Sequence, residues 1–446
     1  MRGLFVLCVA VLLGFPGRAA AHIAVKSSTP AADSTVAGTV REISIVFTQR
    51  VEAQYTDLSI SDNDGRAFTG IVSAAGTDGH TFTLTLPREL YSGRYTVHWR
   101  AAGRDGHVVA DSFHFNVDAP PPPASAAAAL NNADPDSTVS SLPTSRASIV
   151  SKPIAVLVRW LTFAAILLTI GSGLFRTAVL GRASIRHPDA TEWDVLLRAT
   201  RGVALFAAAS VLVLLLPRLL IQSIELNGAT QMWNPANIRS MLTSTLWGRG
   251  WTLQLIAGIT CLYGAVRATE TTGWTILLIG SALLAFSPAF SGHAAAIEQS
   301  VIITVVSDAL HVYAASAWVG VLAVLFIVVL LNIRTGAPAI AGLITCFSPL
   351  ALLGAGIAVI TGTVAALAHI GPLSDLWQTA YGRALSLKLT MFAATVTAGF
   401  INWRLIRPAL DTDRGGRVLR GTSILELAFA LLVLLFTAVL VALPTP

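Results

Sequence analysis

The chain is short of charge, of cysteine and of any glycine-rich nucleotide motif, and each shortage removes a class of function. Only 12% of its 446 residues are charged, while 54% are hydrophobic and the mean hydropathy is +0.68. An ordinary soluble domain carries about 25% charged residues, so most of this chain belongs in lipid. The cysteines are Cys8, Cys261 and Cys346; the first lies in an amino-terminal leader and the others in apolar runs, so no disulfide framework is available. No phosphate-cradling glycine motif occurs, which leaves ATP-driven pumping without support. Residues 22–118 contain no methionine, hence no soft thioether ligand. The formal charge of +6 hints at nucleic acid, but residues 22–118 hold 8 Lys+Arg against 11 Asp+Glu, a net of −3. The basic excess therefore sits in the apolar part, and nucleic acid is not an expected partner.

What is present divides into four stretches. Residues 1–21 read as a secretory signal, with Arg2, an apolar run over 4–15 and Ala19-Ala20-Ala21 as the small-residue cleavage pattern. Cutting after Ala21 makes His22 the first mature residue. Its free α-amine and its imidazole Nδ1 can then chelate one metal ion, and both shed protons near neutrality, with ordinary pKa values of about 7.7–8.0 and about 6.5. Residues 22–118 form an exported domain. Residues 119–152 are a linker, stiff at its prolines and polar, small and flexible afterwards. Residues 153–446 are a succession of long apolar runs.

The exported stretch shows strand alternation in Ile43-Ser-Ile-Val-Phe, Leu58-Ser-Ile, Phe82-Thr-Leu-Thr-Leu and Tyr95-Thr-Val-His-Trp, with turns at Asp64-Gly65 and Ser92-Gly93. Short strands without helical periodicity imply a small Greek-key sandwich or barrel. Tyr95, Val97 and Trp99 share the core face; His98 and His114 point outward. The tripeptide Asp-Gly-His occurs at 78–80 and again at 105–107. Either copy can present a carboxylate and an imidazole on one side of a tight turn, which suits Cu(II) or Zn(II), and periodicity does not choose between them.

Runs long enough to cross a bilayer, about 20 apolar residues, fall near 154–176, 202–224, 247–267, 273–290, 301–332, 340–367, 381–405 and 421–443. Charges interrupt the second and the seventh. An exported amino-terminal domain puts the first span's start outside. Arginine placement agrees: Arg176, Arg182, Arg186, Arg198, Arg201, Arg267, Arg334, Arg404, Arg407, Arg414, Arg417 and Arg420 fall in the inner connections, with Arg239 and Arg249 as outer exceptions. The carboxyl terminus is then outside as well.

With that orientation the intramembrane polar residues lie toward the outer side. His293 precedes the fifth span and His369 ends the sixth. Asp308 and His311 are three apart on one face of the fifth span, roughly 10 Å and roughly 15 Å below the outer boundary. Trp318 continues that face. Lys388 on the seventh span lies at the depth of Asp308, where the two could neutralise each other. Glu426 enters the eighth span from the inner side. Ionisable groups in a bilayer are costly and so are functional candidates. Three histidines in one outer half make a metal path, with Trp318, Lys388 and Glu426 as supporting residues.

His22, Ser27-Ser-Thr-Pro-Ala, Tyr95-Thr-Val-His-Trp-Arg, Asp105-Gly-His and the closing Phe113-x-Phe115 strand together resemble the CopC family of periplasmic copper-binding proteins. The resemblance implies a cupredoxin-like Greek-key sandwich that binds Cu(II) through His22, Asp105 and His107, with 78–80 as a decoy. Phe47-Thr-Gln49 stands where some members supply a glutamate, and Asp111 replaces a glycine, so no fourth carboxylate ligand is expected. Ser291-Gly-His-Ala, Asp308-x-x-His311 running into Ala-Trp318-Val-Gly320, and Tyr381-Gly-Arg-x-Leu with Lys388 resemble the CopD family. A fusion of this kind implies an all-α bundle of about eight helices in the cytoplasmic membrane, taking up copper as Cu(I) or Cu(II) from copper-donor proteins outside. It also implies copper homeostasis or resistance rather than enzymatic turnover. Two other readings weigh against it. A haem-bearing cupric reductase needs facing histidine pairs in the membrane, and only His311 is deep. A copper monooxygenase needs an easily reduced centre, which an anionic Asp105 ligand opposes.

Overall fold

The computed structural model describes residues 23–119, 152–186, 192–291, 301–332, 337–369, 374–406 and 413–443. Residues 1–21, which read as a signal, His22, the linker stretch beyond Ala119, and His293 lie outside the described residues, as do Arg334, Arg407 and the side chain of His369. The chain forms two compact units: one of strands together with residues 222–246, the other of the remaining helices.

The strands are β1 (Val25–Thr29), β2 (Thr35–Ala37), β3 (Val40–Phe47), β4 (Asp57–Ser61), β5 (Val72–Ala75), β6 (Thr81–Leu90), β7 (Gly93–Ala102) and β8 (Val108–Asp118). They make two four-stranded sheets, β1-β3-β6-β5 and β2-β8-β7-β4, so the amino-terminal domain is a sandwich rather than a closed barrel. Among the described strands, only β2 pairs in parallel, with β8. Period-two alternation drives this arrangement: Ile43, Ile45 and Phe47 of β3, Phe82, Leu84 and Leu86 of β6, and Tyr95, Val97 and Trp99 of β7 all turn inward and are buried. Phe47 meets Phe82 and Trp99 edge-on, at centroid distances of 5.8 and 5.3 Å. No disulfide is needed, because the two inner faces supply the core.

The helices are α1 (Pro153–Arg186), α2 (Trp193–Asn227), α3 (Pro235–Ser244), α4 (Leu246–Val266), α5 (Thr271–Phe290), α6 (Ile302–Leu331), α7 (Ala337–His369), α8 (Ala380–Ile401) and α9 (Asp413–Leu440). Within α1 and α6 the backbone widens into π turns at Phe175–Leu180 and Ser316–Gly320. Side chains such as Phe206, Val213 and Ile302 stand largely exposed on the bundle, as a lipid-facing surface requires.

Among the described residues, seven helices are both long and apolar enough to cross a membrane. The exception is α4, not the charge-interrupted second or seventh run. Arg249, Thr252 and Gln254 dilute its first half. Nevertheless α4 retraces α2 along its length. Arg218 donates to Gln254, Trp251 Nε1 donates to the Leu215 carbonyl at 3.0 Å, and Arg201 Nη2 donates to the Val266 carbonyl at 2.7 Å. Leu212 lies against Gly258 between these points. Counting α4, eight long helices among the described residues run through the bundle, roughly the count the sequence implied. Elsewhere glycine allows backbones to touch: a Cβ on Gly320 would come within 2.3 Å of the Leu167 carbonyl of α1.

Candidate metal centre

In the sandwich, β7 and β8 are joined by a five-residue turn that carries Asp105 and His107. Gly103 donates its N–H to the His107 carbonyl and Gly106 donates to the Gly103 carbonyl, both at 2.9 Å. Gly106 takes φ +77°, a left-handed conformation that glycine adopts without strain. The Asp105 carboxylate accepts the His107 N–H at 3.1 Å, so carboxylate and imidazole belong to one compact element. Asp105 is seated tightly. A Cβ on Gly103 would lie 2.7 Å from its Oδ1 and 3.4 Å from the Cδ1 of Ile23. Ile23 is buried beside the turn, and it is the residue that follows His22 in the chain.

The same turn is held from residues 222–246 of its own unit. Gln222 Nε2 donates to the Gly106 carbonyl at 2.7 Å, and Leu246 N donates to the Arg104 carbonyl at 2.9 Å. Arg100 of β7 reaches the Glu225 carbonyl, and Gln54 Nε2 donates to Ser244 Oγ at 2.7 Å. These polar, uncharged partners are more than a hundred residues away in sequence, and no local pattern marks them.

The other Asp-Gly-His copy is built differently. Asp78 Oδ1 accepts from the N–H groups of His80 and Thr81 at 3.0 and 2.9 Å, and its Oδ2 accepts from Thr81 Oγ1 at 2.7 Å. Those bonds, the Thr81 backbone donor foremost, hold its carboxyl down at about 2. His80 Nδ1 lies 3.3 Å from the Phe47 carbonyl. Both groups close a hairpin between β5 and β6. Of the two outward histidines, His98 is half-buried 3.3 Å from Ser61 Oγ, and His114 pairs with Asp33 at 2.7 Å.

In the bundle, Asp308 and His311 lie together on α6, and both feel the charge of Lys388 on α8. His311 Nδ1 is 2.9 Å from Thr361 Oγ1 of α7. Trp318 stands edge-on to Phe392, centroids 6.0 Å apart, one turn beyond Lys388 on α8. Its indole N–H, however, is committed to Glu426 Oε1 at 3.1 Å. Glu426 Oε2 accepts from Asn402 Nδ2 at 2.8 Å, and Asn402 is in turn bonded by Thr422. Glu426 is thus a buried crosslink between α6, α9 and the end of α8. Thr361, Asn402 and Thr422 carried no signal in the sequence, since isolated polar residues in apolar runs are common.

Among the described residues, no three His, Cys, Asp or Glu side chains gather closely enough to hold a metal ion. The sandwich brings together Asp105 and His107, and the bundle Asp308 and His311. Each pair supplies nitrogen and oxygen donors, the set that suits Cu(II).

Three family descriptions match successive parts of the chain: CopC domain over residues 25–118, Copper resistance protein D-like, N-terminal domain over 150–302, and Copper resistance protein D over 341–440. Among curated proteins, Copper transport protein CutJ of Bacillus subtilis (strain 168) is 25% identical over 452 residues, covering 99% of this chain and 78% of that protein. Copper resistance protein C of Escherichia coli is 28% identical over 120 residues, covering 25% of this chain and 94% of its own. Among solved structures, CopC from Methylosinus trichosporium OB3b shares 30% identity over 23% of this chain and 99% of its own, with a TM-score of 0.21. The chain is therefore a CopC domain followed by copper resistance protein D domains in a single polypeptide.

Proposed function

We propose that the protein captures Cu(II) outside the cytoplasmic membrane and passes copper inward through its helical bundle, serving copper homeostasis. The observation that carries this reading is the Asp105–His107 turn: a carboxylate and an imidazole carried on one compact element, with Ile23 beside Gly103 of the same turn and His22 next to Ile23 in sequence. His22, through its amine and imidazole once the signal is cut after Ala21, completes a site of nitrogen and oxygen donors. The Asp78–His80 turn spends its carboxylate on its own hairpin and leaves the role to the second copy.

From there, copper as Cu(I) or Cu(II) enters a path lined by His293, Asp308, His311 and His369. Neutral imidazole suits both oxidation states. Arginine placement favours the sandwich on the extracytoplasmic side. Copper-donor proteins outside the membrane are its natural suppliers.

Cells test the reading directly. Copper accumulation from sub-toxic medium should fall to the level of a deletion strain when His22 or His107 is replaced by alanine, with full-length protein still present in the membrane. Unchanged accumulation in the deletion strain itself would overturn transport. A Cu(II) EPR signal unaltered by His107→Ala would overturn the site while leaving transport open.

A further inference from the structure

The imidazole of His311 is gripped along one edge by two consecutive residues of α7. Thr361 Oγ1 sits 2.9 Å from Nδ1. Gly362 faces the next ring atom: a Cβ there would lie 3.3 Å from Cε1 and 3.8 Å from Nδ1, with no other ring atom within 4 Å. Nε2 is turned away from this grip.

The Thr361 hydroxyl has a single proton. It is 2.8 Å from the Ile357 carbonyl, in the one-turn-back bond that Thr162, Thr169, Thr200 and Thr395 also make in this bundle. A hydroxyl that donates to its own helix has only lone pairs to offer a neighbour. The Ala358 carbonyl, 3.4 Å from the same oxygen, likewise can only accept. Nδ1 therefore faces a hydroxyl lone pair and must carry the hydrogen of the neutral ring.

We infer that Thr361 fixes His311 as the Nδ1–H tautomer and thereby presents the Nε2 lone pair as its copper-binding atom, with Gly362 leaving the space for the ring to reach that hydroxyl. Thr361 is a positioning residue: it touches the ligand, not the metal. A metal-bound imidazole whose other nitrogen is held by a hydrogen-bond acceptor gains both a fixed orientation and basicity. The chemistry recognised is that of a cation taking one neutral nitrogen from His311, beside the Asp308 carboxylate one turn earlier on α6. The copper role rests on the function proposed above, whereas the tautomer does not.

The test uses full-length protein in lipid nanodiscs with ¹⁵N- and ¹³C-labelled histidine, the His311 signals being assigned by their loss in His311→Gln. Ring nitrogen and Cδ2 shifts should report the Nδ1–H tautomer in the native protein and in Thr361→Ser. They should report a mixture in Thr361→Val, which keeps the shape and loses the acceptor. An Nε2–H ring in the native protein would overturn the inference. So would a Thr361→Val ring that remains purely Nδ1–H. In a chelator competition with Cu(I), on a His107→Ala background that silences the sandwich, Thr361→Val should bind about tenfold more weakly and Thr361→Ser as the native bundle. If the tautomer is as stated but His311→Gln binds as the native bundle, His311 is no copper ligand and the copper half of the inference falls. If His311→Gln abolishes binding while the ring is Nε2–H, the transport reading stands and this assignment fails.

Discussion

Gln222 donates its side-chain amide to the carbonyl oxygen of Gly106 at 2.7 Å, in the middle of the turn that carries Asp105 and His107. Gln222 is buried, so this bond forms with little competition from water. The carbonyl it holds belongs to the peptide that leads into His107, so on the proposed site it steadies the backbone that carries that ligand. Replacing Gln222 with leucine, which keeps the volume, should weaken Cu(II) binding about tenfold, the usual loss when support one step behind a ligand is removed. Titration of the purified full chain against a Cu(II) chelator measures it. Undiminished affinity would mean that the turn is rigid on its own.

Gly103 makes a sharper prediction. A methyl group there would lie 2.7 Å from Asp105 Oδ1, closer than side-chain atoms can approach, so Gly103→Ala must displace the carboxylate. Cu(II) affinity should fall at least as far as in Asp105→Ala, while near-ultraviolet circular dichroism stays native. An EPR spectrum identical to that of the native protein would refute the placement of Asp105 as a ligand.

The hairpin at Asp78 responds to acid in a defined window. Its folded carboxyl titrates at about 2 against an ordinary value of 3.8. A group whose folded pKa is depressed adds stability that is complete above its unfolded pKa and disappears as pH falls through the folded value. Protection of the Thr81 amide should therefore be flat above pH 5 and decline between roughly pH 4 and roughly pH 2. Asp78→Asn should show low, pH-independent protection, while Cu(II) binding at neutral pH is untouched.

Much of the sandwich is legible because β3, β6 and β7 alternate cleanly between buried and exposed residues, and a period of two leaves little choice of face. The eight helices are legible from length and apolarity; α4 reads as a span from its run at 247–267, yet Arg249 and Gln254 leave it the least apolar, and its contacts with α2 support it. The two Asp-Gly-His turns are indistinguishable as tripeptides. At the first copy the aspartate also accepts from Thr81, three residues on, and that depends on the following strand. Gln222 and Thr361 lay beyond reach for another reason: each acts on a residue fifty or more positions away, and a lone amide or hydroxyl in an apolar run has many ordinary explanations.

Trp318 and Glu426 give a test of packing. Trp318→Phe keeps the edge-on contact with Phe392 but leaves the carboxyl of Glu426 with Asn402 as its remaining side-chain donor. The lost hydrogen bond should cost about 1–3 kcal/mol, seen as a lower unfolding temperature in detergent with unchanged Cu(II) content in the sandwich. A matching loss from Glu426→Gln together with Trp318→Phe, rather than the sum of both, would confirm one shared interaction. Simple additivity would sink it.

The antiparallel course of α1 and α9 has a topological consequence. Arg159, near the start of α1, donates to the Ala438 carbonyl near the end of α9. A chain whose last crossing ends where its first begins must make an even number of crossings, so α4 has to be counted among them despite its arginine. Residue 443 then emerges on the same face of the membrane as residue 152. A reporter enzyme active only outside the cytoplasm, fused after residue 443, should be active, and one fused at residue 269, between α4 and α5, should be silent. The reverse result would mean that the weakest of the eight helices does not cross.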